Sequence, residues 1–536
     1  MKKVVFLLVM IEVNLFAQSN LARQWDYRYG GDTLEFIGDF KKTFDGGFLI
    51  GGTTYSDSSG DISQHSNGNA DFWIIKTDNN GIKLWDKRYG GLNNDNLTSI
   101  QQTKDSGFIL AGYTNSDSSG DVSQNSRGLS DYWMIKVDSL GIKQWDKRYG
   151  GNNLDFANSV VQTKDGGYIL AGATMSDSSG DVSEPSKGYW DMWILKTDSI
   201  GNKLWDKRFG GNQDDRAIKI IETNDSGFLI GGFTTSDSSE DVSQHTRGGF
   251  DFWIVKTDSI GHKLWDKRFG GGGGDLLEYI YQTDDNGYFL LGETQSDSSG
   301  DVSHHILCTC GDEWVIRIDS IGNKIWDNCY GGTIGEDEGF IIKTNDGNYL
   351  LGINSYSPAS GEKSENNLGE EQSWLLKIDP LGNKIWDKTI LTTGHDEYTF
   401  IAQSDDGCFV IANMTNSGIG GYKTEQNWNN CQMCYDFWIV KFCDSTLTGI
   451  DQISNPEIYL YPNPTTGTFT LTYNSQLSLK NSQLIITDVL GRAVYSQPIN
   501  NSTQSTINIS QLSNGVYFYQ LSNGKETWRG KVVKEN

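Results

Sequence analysis

The sequence predicts an all-β chain: a seven-bladed β-propeller closed by an N-terminal strand, followed by a small C-terminal β-sandwich. Three observations predict it. The tryptophan of a WD pair recurs at Trp25, Trp85, Trp145, Trp205, Trp265, Trp326 and Trp386, at intervals of 60 or 61 residues. A second series, Trp73, Trp133, Trp193, Trp253, Trp314, Trp374 and Trp438, keeps that period until a last interval of 64. Each unit divides into four apolar runs of strand length, and four strands taken seven times is the arithmetic of a propeller.

Along the chain, residues 1–17 read as a secretory signal peptide. Lys2 and Lys3 precede an apolar core from Val4 to Ile11, with small Ala17 before the cut, and the run is too short to cross a membrane. The repeat region spans 18–443 and opens on a lone fourth strand, RQWDYRYGG (23–31). In one full unit the strands are LTSIQQT (97–103), FILAGYT (108–114), DYWMIKVD (131–138) and KQWDKRYG (143–150), bounded by Gly, Asp, Asn and Ser. They are apolar on both sides, as strands packed between neighbouring blades must be. The region ends on a lone third strand, DFWIVKF (436–442). The first strand is therefore expected to complete the last blade and remove the free edges of an open array; an open solenoid is the alternative. The unit GG-x-x-x-D … DGGYILAGAT … DMWILKTDSIGNKLWDKRFGG resembles the repeats of bacterial exported β-propeller proteins, with a strand order similar to kelch propellers.

A polar linker (444–457) leads to residues 458–536, several short strands separated by Pro-Asn-Pro, Thr-Gly and Asn-Gly turns. YPNPTTG, DVLGR and LSNGVYFYQL carry a resemblance to the C-terminal sorting domain of the Bacteroidetes type IX secretion system. That resemblance implies export across the outer membrane by this machinery as partner, removal of the domain, and release or tethering at the cell surface. A generic sandwich used for binding is the other reading.

The formal net charge of −25 leaves no basic face for nucleic acid. No later stretch approaches the roughly 20 apolar residues of a membrane helix. There is no G-x-S-x-G or H-E-x-x-H, and the run Gly270–Gly274 is not followed by a helix, so no catalytic residue is assigned. The reading is a secreted or cell-surface binding or scaffold protein, monomeric, with a glycan or protein ligand. The alternative is a secreted carbohydrate-active enzyme, a glycosidase or lyase using carboxylates on the propeller face. The discriminator is whether one blade carries channel carboxylates or aromatics that its siblings lack.

The loop DSSGDVS recurs between the second and third strands. Its aspartates either cap turns or, as Asp57 with Asp61, Asp117 with Asp121, Asp177 with Asp181 and Asp297 with Asp301, supply part of the about six to eight oxygen ligands of Ca²⁺. Calcium is the one cofactor these loops suggest. The blade-to-blade linkers emerge on the same face, and their acids (Glu35, Asp95, Asp155, Asp215, Asp275, Glu336 and Asp396) are expected to form an acidic rim. The seven Cys all lie in 308–443. They read as disulfides of an exported chain: Cys408 with Cys443 on adjacent strands, Cys310 near Cys329, and Cys431 with Cys434. A metal site at His304, His305, Cys308 and Cys310 is the alternative. The Lys and Arg of WDKR are expected to stack on the third-strand Trp.

Overall fold

The computed structural model describes residues 20–308, 310–428, 434–444, 458–461, 465–473, 482–488, 491–499, 504–522 and 527–535. The expected signal peptide, the linker beyond Asp444, and Cys431 lie outside the described residues. The chain divides into one unit through Cys443 and another from Asp444.

The first unit begins with β1 (Leu21–Tyr29). Blade 1 follows as β2 (Glu35–Lys42), β3 (Phe48–Thr54), β4 (Asp71–Thr77) and β5 (Lys83–Tyr89), a four-stranded antiparallel sheet in chain order. Five further sheets repeat this order. The seventh is built from Asp396–Gln403, Phe409–Thr415 and Asp436–Asp444 with β1 as its outer strand. The first strand of each blade packs against the first strands of both neighbours, and β2 packs against Asp396–Gln403. The ring is closed, and these first strands line its axis.

The third strand explains why sheets form. DFWIIKT in blade 1, and its equivalents, are buried at every position, because each face of a blade packs on a neighbour. The apolar clusters accordingly draw from two adjacent blades: Leu49, Phe72 and Ile74 of blade 1 meet Leu97, Ile100 and Trp133 of blade 2. All seven third-strand tryptophans are fully buried. Each indole N–H donates to the Asp of a WD pair, at 3.0 to 3.2 Å, from Trp73 to Asp86 through Trp374 to Asp387. In blade 7, Trp438 donates to Asp26 of β1 at 3.1 Å, so the closing strand carries the same lock as its six siblings.

One feature interrupts the regular ladders. The first strand of blades 1 to 5 slips register by one residue, at Gly38, Thr98, Asn158, Ile218 and Glu278. In blades 6 and 7 the bulge widens to two residues, 338–339 and 398–399. Glu338 (φ 58°) and Tyr398 (φ 59°) take the left-handed conformation there.

The second unit holds a three-stranded and a four-stranded sheet. Phe469, Leu471 and Ile507 from one and Leu484, Ile486, Leu521 and Val532 from the other form a single core, as in a small β-sandwich.

Candidate functional site

The polar residues that recur in every blade hold blades together. Asp57 Oδ1 accepts from Ser66 N–H at 2.8 Å, and Asp117 and Asp177 do the same for Ser126 and Ser186. Asp297 meets His305 Nδ1 at 2.8 Å. The second aspartate of each loop reaches the preceding blade: Asp61, Asp121, Asp181 and Asp301 accept from Gly30, Gly90, Gly150 and Gly270 N–H. Arg28, Arg127 and Arg247 add ion pairs to Asp61, Asp181 and Asp301 at 3.2, 2.8 and 2.9 Å. These are contacts of turn capping and of a tie between blades. The carboxylates of one loop point to different places, and the groups of three converging metal-capable side chains among the described residues lie elsewhere.

The acidic rim is corrected. Glu35, Asp95, Asp155, Asp215, Asp275, Glu336 and Asp396 lie on the expected face but are all buried. Asp95 accepts from Gly91 N–H at 2.6 Å and Ser116 Oγ at 3.0 Å, and Thr114 donates to it as well. The carboxylate thus folds back under its own linker, and burial raises Asp95, Asp155 and Asp215 to about 6 and Glu35 to about 7. The expected stacking of the WDKR arginine is corrected too. Arg148 pairs in register with Trp133, but its guanidinium turns to Asp131 at 2.6 Å, because a buried carboxylate outbids a ring face.

Cys408 and Cys443 form a disulfide with Cα atoms 4.4 Å apart. Cys308 and Cys310 form another, so these two sulfurs do not join His304 and His305 as thiolate ligands. Cys310 therefore does not pair with Cys329, which is a free thiol. Cys329 replaces the arginine of its siblings on the sheet, opposite Trp314. Without that arginine, burial and the neighbouring Glu336 raise Asp312 to about 7. Cys434 is disulfide-bonded.

The residues that differ from blade to blade gather at the axis. A cavity of about 290 Å³ runs along it, lined by the bulge residues Gly38, Thr98, Asn158, Ile218, Glu278, Glu338 and Tyr398. A second recess of about 550 Å³, nearer the linker face, shares five of these and adds Phe36, Tyr55 and Tyr113. Phe36, Tyr55 and Tyr113 of blades 1 and 2 line this mouth, and further aromatic pairs of blades 3 and 4 pack beyond them. Tyr113 packs on Phe156 (4.6 Å between centroids), Phe156 stacks on Trp190 (5.3 Å), and Phe233 meets Phe250 edge-on (5.2 Å). Arg216 lies over Trp190 at 4.6 Å.

Blades 5 and 6 carry acids at their bulges, Glu278 and Glu338, where blade 7 has Tyr398. Glu278 accepts from the backbone N–H of Glu338 at 3.1 Å and from that of Gly339. Glu338 accepts from Tyr398 N–H at 2.8 Å. These carboxylates hold the two left-handed bulges open, the kind of local strain that clusters at functional sites. Fully buried Glu313 has no hydrogen-bond partner for either carboxylate oxygen. Burial and repulsion from neighbouring acids hold Glu278 and Glu313 well above the usual carboxylate range.

At the mouth, His395 Nε2 lies 2.5 Å from Glu371 Oε2 and 2.9 Å from Glu397 Oε1, and these hydrogen bonds raise the imidazole to about 10. Tyr356 and Tyr435 flank the imidazole edge-on at 5.7 and 6.0 Å. The linker carrying His395 departs from the repeat: Thr389, Leu391 and Thr392 replace the Arg and Gly-Gly of other units, and Gln372 replaces the paired Asp. Gln372 Nε2 donates to Thr392 O at 2.9 Å in place of the missing ion pair. Sequence reading followed the repeating columns and passed over this constellation. Its signal is the columns that do not repeat: Leu34, Asn94, Leu154, Asp214, Gly274, Gly335 and His395 occupy one of them.

Comparison with known proteins supports the division of the chain. Residues 459–535 match the family of secretion system C-terminal sorting domains. An alignment 197 positions long, covering 33% of this chain, is 26% identical to Regulatory protein FlaEY of Caulobacter vibrioides. The match spans 20% of that relative's length. Among solved structures, a Dyadobacter fermentans protein of unknown function is similar at 12% identity and a TM-score of 0.37, covering 79% of this chain and all of that one. The Pan2 WD40 domain of Neurospora crassa is similar at 9% identity and a TM-score of 0.42, covering 80% of this chain and 97% of its own. The C-terminal sorting domain marks the protein for type IX export to the cell surface or beyond.

Proposed function

We propose that the exported propeller is a glycan-binding protein whose site is the mouth of the axial channel. One observation carries the reading: the seven-fold repeat is broken at the axis, with aromatics of blades 1 and 2 at the mouth and the acids Glu278 and Glu338 of blades 5 and 6 in the channel. Aromatic faces suit the apolar faces of sugar rings, and carboxyl groups exchange hydrogen bonds with hydroxyls. The net charge of −25 opposes uronic or sulfated chains, so the ligand is a neutral or amino-bearing oligosaccharide.

Isothermal titration of the full chain against neutral, amino-bearing and uronate oligosaccharides tests this. Saturable binding of the first or second class is expected, weakened about 10-fold by Tyr113→Ala. Binding only of uronates, or equal affinity in that variant, rules the mouth out. A second reading, cleavage of the bound glycan, draws on unpartnered Glu313 beside Glu278. Shorter products on prolonged incubation, lost in Glu278→Gln, would establish it.

A further inference from the structure

We propose that Glu371, His395 and Glu397 form a site for a divalent transition-metal ion of the zinc or manganese kind. The inference is independent of the glycan reading. Three side chains from two blades bring one ring nitrogen and two carboxylates together, each ligand atom within 4.8 Å of the others. One imidazole nitrogen carries at most one proton and can donate to one acceptor, yet two carboxylates press on Nε2 at 2.5 and 2.9 Å. A third acid, Asp337, stands close enough to Glu371 for the two carboxylates to repel each other. Its Oδ1 is shielded from solvent and has no hydrogen-bond partner. A single divalent cation satisfies the imidazole nitrogen and both carboxylates at once.

The surroundings are those of a metal site. Tyr356 and Tyr435 stand beside Glu371 and Glu397, and their rings flank the imidazole. Such outer partners fix the orientation of metal ligands. The backbone is fixed as well: Asp396 N–H donates to Glu371 O at 3.1 Å, and His395 N–H to Asn416 Oδ1 at 2.9 Å. Around an ion with about 2.0 Å bonds, ligand atoms stand about 3.3 Å apart, close to the 2.5 and 2.9 Å that separate His395 Nε2 from the two carboxylates. An imidazole with two or three carboxylates suits zinc or manganese, whereas calcium prefers oxygen alone. The six sibling interfaces lack the set. Ala70, Ser130, Trp190, Phe250, Gly311 and Tyr435 stand where Glu371 does.

The test is titration of the chelator-treated full chain with ZnCl₂ and, separately, MnCl₂, with CaCl₂ as control. About one equivalent of zinc or manganese is expected to bind with Kd near or below about 1 µM, and calcium far more weakly. His395→Ala is expected to weaken binding about 100-fold or more. Glu397→Gln, which keeps the shape of the site, is expected to weaken it about 10-fold and decides the matter should the first variant fail to fold. Anomalous diffraction from zinc-soaked crystals is expected to place the ion within bonding distance of His395 Nε2. Less than one equivalent taken up at about 100 µM metal overturns the proposal. So does undiminished binding in both variants, or an anomalous peak elsewhere, as at the Cys329 thiol.

Discussion

A single residue can show what a repeat requires. In the DSSGDVS loops the fourth position is glycine with φ of 54–60° in blades 1, 2, 3 and 5, and Glu240 with φ 46° in blade 4. A Cβ on the glycine of blade 2 or 3 would stand 2.3 Å from the carbonyl oxygen of the preceding blade. The neighbouring hydrogen bond shows the strain: Asp241 N–H reaches Gly210 O at 3.1 Å, where Asp61, Asp121, Asp181 and Asp301 make the same bond at 2.8 Å. Glu240→Gly is therefore expected to stabilise the propeller by about 1 kcal/mol, and Gly120→Glu to destabilise it at least as much, both read from thermal or urea unfolding. At the WD pair, Asp146→Ala strands the buried indole N–H of Trp133 and the Ser123 N–H that the same carboxylate accepts. An unmet buried donor costs about 1–3 kcal/mol; an unchanged melting temperature would show that water replaces the carboxylate. The recurrence of WD was legible in the sequence, but its partner was not. Register places Arg148 opposite Trp133, yet the choice between ring and carboxylate depends on Asp131, which only the folded blade brings alongside.

At the scale of strands and linkers, the buried linker carboxylates set a pH dependence. Glu35 and Asp312 sit at about 7, and Asp95, Asp155 and Asp215 at about 6. Each is raised by burial above its ordinary value, so the folded state holds more protons than the unfolded chain between the two. Stability then falls as pH rises from about 4 to about 7. On the opposite face Asp165 is lowered to about 2, by Thr163, Lys196 and Gly167 against the cost of burial. Its contribution is present above the ordinary carboxylate range and is lost as pH falls toward 2. Calorimetry is expected to show a melting temperature highest in mildly acid buffer, with Asp312→Asn flattening the limb above it; a maximum at pH 8 would contradict this assignment. The strands themselves were readable to within one or two residues, since turn chemistry and β-branched runs mark their ends. The bulges were not, because one extra residue in the first strand is invisible to a period of two. The channel residues sit on those bulges, so the asymmetric site escaped notice while the symmetric frame was plain.

For the whole molecule, closure by β1 is expected to decide stability. Removing residues 21–29 takes away the outer strand of blade 7 and leaves Trp438 without Asp26. The expected result is a large fall in melting temperature and loss of solubility, checked by calorimetry and by the soluble fraction on expression; an unchanged melting curve would mean that blade 7 is complete without it. The partners in this closure lie 412 residues apart in the chain, a separation that makes such pairing slow to form. Ring closure must therefore wait for the last blade, and the sorting domain begins shortly after that blade ends. Completion of the fold and possession of the export address thus arrive together. A polypeptide cut short anywhere before its final blade has neither.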